Sequence, residues 1–127
     1  MPRVPDDLVL PPRAALIEAQ RLLDAGMPFH AHEVLEGTWK AAPPQERDLW
    51  QGLAQLCVGF THLLRGNSAG AVTLLRRGHS RIARYASDPP FDVDVTGLTS
   101  WTDTVLTALL SDQLDAVDIA PPRLAGS

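Results

Sequence analysis

The chain is 127 residues long, enough for one domain at roughly 100 to 200 residues each and too short for a second core. Hydrophobic residues make up 45% and charged residues 20%, which disfavours a fibrous repeat, a wholly disordered chain and a disulfide scaffold. The net charge of -4 argues against a surface built to neutralise phosphates, so nucleic acid is not expected as a general partner.

No apolar run approaches the roughly 20 residues that cross a bilayer, and the start from Met1 to Asp7 is too polar for a signal peptide. The expectation is a soluble, cytoplasmic protein without membrane contact. The single cysteine, Cys57, lies in an apolar stretch and reads as a small hydrophobe.

In chain order, Pro11-Pro12 opens a first helix over about 12–25, with Ala15, Leu16, Ala19, Leu22 and Leu23 at helical spacing before Gly26. A second helix over about 28–41 carries Ala31, Val34, Leu35 and Trp39 and ends at Pro43-Pro44. The third starts near Glu46 and runs to Gly66 with apolar residues nearly all round, the pattern of a central helix. Asn67 caps a fourth, about 68–86, and a shorter fifth follows over about 94–111. Residues 112–127 lack periodicity and read as a tail open to disorder.

No segment alternates with period two for long enough to make a strand. The fold class is therefore all-α: a single-domain antiparallel helical bundle of four to five helices, residues 1–111, around the hairpin of helices two and three. Gly26 and Gly66, forty residues apart, raise a two-unit repeat, but its units resemble each other weakly and a solenoid needs several copies.

The chemistry-bearing residues gather on that hairpin. His32 and Glu36 share a face at about 40°, with Glu33 within a turn. On helix three, Gln51, Gln55 and His62 form one polar stripe within about 40°. If the Pro43-Pro44 turn is tight, His32 stands level with Gln55 and Glu36 with Gln51, and solvent does not reach all of them. Gly52 and Gly59 share a neighbouring face and admit a close backbone; with Trp39 they are the expected lining of a groove.

Two readings of the cluster stay open. Amide, carboxylate and imidazole groups can satisfy one another and lock the hairpin register. Alternatively the cluster is functional, supplying a carboxylate, a base or metal ligands. His32 and Glu36 offer two ligands, but His62 lies about 10 Å further along the axis than Gln55 and Glu33 points up to about 60° from Glu36. No tightly bound transition metal is expected, and no motif identifies a cofactor.

Trp39 and Trp50 flank the proline turn and read as core. Arg77, Arg81 and Arg84 form a stripe on helix four, while residues 88–118 hold seven aspartates and no basic residue. A solvated arginine flank, or one paired with those aspartates, is the plain reading; an RNA-backbone patch is the alternative.

Residues 29–84 resemble the bacterial and archaeal domain-of-unknown-function family numbered 309. The resemblance rests on Phe29-x-x-His32-Glu33-Val34-Leu35-Glu36-x-x-Trp39, Trp50-Gln51-Gly52-Leu53-x-Gln55-Leu56, His62, Arg65-Gly66-Asn67 and Gly70-Ala71. It implies a compact helical bundle and makes His32, Glu33, Glu36, Trp39, Gln51, Gln55 and His62 signature positions, without a reaction, ligand or cofactor. The leading expectation is a ligand- or protein-binding or regulatory module whose site is the polar cluster. A hydrolase using His32 and Glu36, with or without metal, is the alternative, and RNA-backbone binding by the helix-four arginines is third. Oligomeric state is not legible.

Overall fold

The computed structural model describes residues 9–111 and 119–125. It contains α1 (Pro12–Asp24), α2 (Pro28–Ala41), α3 (Pro44–Leu64), α4 (Ser68–Ala83) and α5 (Val95–Leu110), with a short 3-10 turn at Pro90–Asp92. Among the described residues the only β pairing is an isolated bridge between Val93 and Ala125. The all-α bundle is thus what the periodicity implied.

Prolines set the starts of α1, α2 and α3, each carrying Pro in its first turn, where the missing N–H costs nothing. α1 and α3 stop in the same way. Gly26 and Gly66 both take φ of +77°, and Met27 N donates to Leu22 O as Asn67 N does to His62 O, each at 2.9 Å. That is a left-handed glycine stop in which the next residue satisfies a carbonyl of the last turn. α4 ends earlier than its periodicity suggests: after Ala83 the chain loosens into turns, and the Tyr85 hydroxyl donates to Gln45 O at 2.8 Å.

Successive helices pack on one another, α1 on α2, α2 on α3, α3 on α4 and α4 on α5. α3 is central because three of its sides are apolar. Leu49, Leu53, Leu56, Cys57, Phe60 and Leu63 are buried, Trp50 meets the Phe91 ring at 5.8 Å, and Phe60 meets Trp101 edge-on at 5.7 Å. Phe91 and Asp92 sit at φ of 54° and 59°, a left-handed conformation that costs a bulky residue energy. The stacking of Phe91 on Trp50 offsets it.

Part of the expected tail is docked. Gln20 of α1 clamps residues 119–125 by donating to Pro122 O at 3.0 Å and accepting from Leu124 N at 2.9 Å. Asp94 N donates to Leu124 O at 3.0 Å, Trp101 Nε1 to Ala120 O at 3.0 Å, and the Leu124 side chain is fully buried. The rest of the tail, residues 112–118 and 126–127, lies outside the described residues.

Candidate functional site

α3 turns its fourth side outward. Seven-residue spacing places Asp48, Gln55 and His62 in one row along the helix, with Gln51 beside it. All four are half-buried, withdrawn from solvent in part. Both α2 and α4 pack on α3, and α4 reaches the row through Arg81.

On the α2 flank, His32 Nε2 stands 2.8 Å from Glu36 Oε2, and Lys40 Nζ stands 3.1 Å from Glu36 Oε1. These pairs follow directly from i, i+4 spacing. The Phe29 ring lies 5.3 Å from the His32 ring, and His32 Nδ1 is buried without a hydrogen-bond partner among the described residues. Leaving a buried polar atom unpaired costs on the order of 1 to 3 kcal/mol, which calls for a reason other than stability. Glu33 is half-buried about 60° further round α2 from Glu36, and Trp39 packs at the edge of the core.

On the α4 flank, Arg81 binds two residues of the row: its Nε donates to Gln55 Oε1 at 3.1 Å and its Nη1 to Asp48 Oδ1 at 2.7 Å. Arg84 also donates to Asp48. The expected ladder pairing His32 with Gln55 and Glu36 with Gln51 is therefore replaced: Gln55 is held by α4, and His32 and Glu36 pair within α2. The reason is rotation about the α3 axis. Levelling residues across a turn fixes their height but not which neighbour they face.

Gly52 and Gly59 confirm that rotation. They line no groove; they take α4. A Cβ at Gly52 would lie 2.7 Å from Ile82 Cγ2 and 3.1 Å from Gly78 O, and one at Gly59 would lie 2.8 Å from Leu75 side-chain carbons. The arginine pairing also differs from expectation. Arg81 and Arg84 reach back to Asp48 rather than to the later aspartates, while His79 Nε2 pairs with Asp103 of α5 at 3.2 Å.

At the far end of the row, Asn67 Nδ2 lies 3.1 Å from His62 Nδ1, and Asn67 Oδ1 accepts from Gly70 N at 3.0 Å. His62 is thus tied to the cap of α4 and not to His32. Among the described residues no three His, Cys, Asp or Glu side chains gather in a way that could hold a metal ion. Burial pushes the Cys57 thiol up to about 12, which removes the thiolate a nucleophile would need.

The row is half-open to solvent among the described residues. A cavity of about 560 Å³ lies between α1 and the residues around Phe91 and Arg123, and two of about 330 and 270 Å³ lie at the two ends of the α2–α3 hairpin. None of the three is lined by His32, Gln51, Gln55 or His62. Asp48 was the residue the sequence reading missed, and its signal was available: it precedes Gln55 by the same seven residues that separate Gln55 from His62.

Comparison with known proteins agrees with the resemblance in the motifs. Residues 16–74 match the family model described as a domain of unknown function (DUF309). The chain is also similar to the uncharacterized protein YpuF of Bacillus subtilis (strain 168), 46% identical over 48 residues. That stretch is 37% of this chain and 28% of YpuF, so the chain spans well under half of that relative. No solved structure matches the chain significantly.

Proposed function

We propose, on the premise that residues 16–74 match the DUF309 family, that the chain is a binding module whose α2–α3–α4 face receives an extended segment of a protein partner. The observation carrying this reading is that the polar row of α3 is half-open among the described residues while its side chains are held by neighbours: Asp48 and Gln55 by Arg81, and His62 by Asn67. Side chains fixed in advance lose less freedom on binding, which is the use of such supports at a recognition surface. An open face suits a segment better than a small molecule, because small-molecule sites are typically clefts of about 300 to 1,000 Å³.

A photo-crosslinking side chain placed at Gln51 in cells that make the chain natively tests this. The expected result is one dominant adduct, lost when the bulk of Gln55→Trp fills the row, and no comparable adduct from a label at Arg76. Equal capture from both positions, or none from Gln51, contradicts the proposal.

The hydrolase reading is favoured by one contact, the Glu36 carboxylate on His32 Nε2, since a carboxylate behind an imidazole is a familiar way to orient a base. Against it, the nitrogen left to act as base, Nδ1, is buried. Two of the three stripe arginines are occupied by Asp48, which weighs against the RNA reading.

A further inference from the structure

The geometry points to an acidic occupant for this face: an extended peptide segment whose carboxylates, three residues apart, are received by His62 and Gln55. The inference rests on the partner-binding reading above and adds the chemistry of the partner.

Its basis is that the outward groups of two residues are fixed as donors. Asn67 Oδ1 accepts from Gly70 N at 3.0 Å, which settles the orientation of that amide and puts its NH2 against His62 Nδ1 at 3.1 Å. A neutral imidazole has one donor and one acceptor nitrogen, so a donor facing Nδ1 leaves the proton on Nε2. The lock requires glycine at position 70, where a Cβ would stand 2.7 Å from Asn67 Nδ2 and 2.9 Å from His62 Cγ. Seven residues earlier, Arg81 Nε donates to Gln55 Oε1 at 3.1 Å, so the NH2 is the end of the Gln55 amide that Arg81 leaves to donate elsewhere. Both residues are half-buried rather than enclosed, so an acceptor can approach them from the solvent side of the row.

Charge and spacing then choose the acceptor. Arg81 and Arg84 share one carboxylate, Asp48, and Arg77 adds a third cation one turn before Arg81, so the α4 wall is positive. On the α2 wall the Glu36 carboxylate is already shared by His32 and Lys40. The two donors are about 10 Å apart along α3, seven residues at 1.5 Å each. One carboxylate cannot span that distance. An extended chain advances about 3.1 to 3.3 Å per residue, so acceptors at i and i+3 match it, and in a polyproline helix those two positions share a face.

The test uses the full chain and the peptide acetyl-Glu-Pro-Pro-Glu-amide, with acetyl-Gln-Pro-Pro-Gln-amide and inorganic phosphate as comparison arms. Proton–nitrogen correlation spectra read the His62 tautomer, the Gln55 NH2 pair and the integrity of the fold. The expected result is an Nε2–H tautomer at His62, saturable shifts at His62 and Gln55 with the glutamate peptide, and about tenfold weaker binding of the glutamine peptide. His62→Leu is expected to weaken the glutamate peptide about tenfold, whereas His62→Gln, whose amide nitrogen donates from the same place, keeps it within about threefold. An Nδ1–H tautomer, equal binding of both peptides, no saturation, or saturation by phosphate but not by the glutamate peptide each overturns the inference. Those failures leave the crosslinking result at Gln51 untouched, so the loss of the acidic partner and the loss of the binding face are separate outcomes.

Discussion

At the scale of single residues, Glu36 separates a structural from a functional account. It is about a third exposed and bonded to His32 and Lys40 within one helix. Pairs of this kind contribute little in water, so Glu36→Ala is expected to lower stability by no more than about 1 kcal/mol in urea melts. A loss above about 2 kcal/mol would show that the pair holds the fold. Cys57 makes a prediction of a different kind. Its thiol is raised by burial from 9.0 to about 12, so the native protein at pH 8 is expected to resist thiol reagents except through unfolding. The sign of the linkage follows: above about pH 9 the unfolded chain releases a proton that the native chain retains, so stability falls as pH rises from 9 towards 12. Fast labelling of the folded chain at pH 8 would contradict the burial of that side chain.

At the scale of elements, the contact of α3 with α4 depends on missing side chains. A Cβ at Gly78 would stand 2.8 Å from Gly52 O, a backbone atom that cannot swing aside. Gly78→Ala therefore sets a gain in helix propensity of about 1 kcal/mol against overpacking of about 1 to 3 kcal/mol and separation of two helices. The expected outcome is net destabilisation of about 1 to 2 kcal/mol by denaturant melt; a more stable Gly78→Ala would mean that the helices pack less closely. The helix boundaries were legible because proline and glycine punctuate them: Pro12, Pro28 and Pro44 open helices, and Gly26 and Gly66 follow their ends. The facing of the α3 stripe was not, because heights across a turn carry no information about rotation. Gly52 and Gly59 held the missing clue. A glycine pair at seven-residue spacing marks where a neighbouring helix comes closest, and that neighbour is α4.

At the scale of the whole molecule, the docked segment 119–125 closes the bundle against α1 and the start of α5. Its sequence gives little warning, since Pro121, Pro122 and Gly126 resemble an unattached end and its bonds run through the backbone to a distant Gln20. Gln20→Ala removes both of those bonds at once. Amide exchange at Leu124 is expected to accelerate at least tenfold in that variant while α3 amides keep their protection; unchanged exchange at Leu124 would show that burial of its side chain alone holds the segment.

Under the proposed reading, the polar groups on the α2–α3–α4 face are retained for recognition rather than for holding the fold. His32 tests this most directly, because its Nδ1 is a buried acceptor without a partner among the described residues. The decisive measurement is the unfolding free energy of His32→Leu against wild type in urea. Removing an unpaired buried nitrogen while keeping a similar apolar volume offsets loss of the half-exposed pair with Glu36, so stability is predicted to stay within about 1 kcal/mol or to rise. A loss of about 2 kcal/mol or more would show His32 to be a structural lock and would contradict the claim.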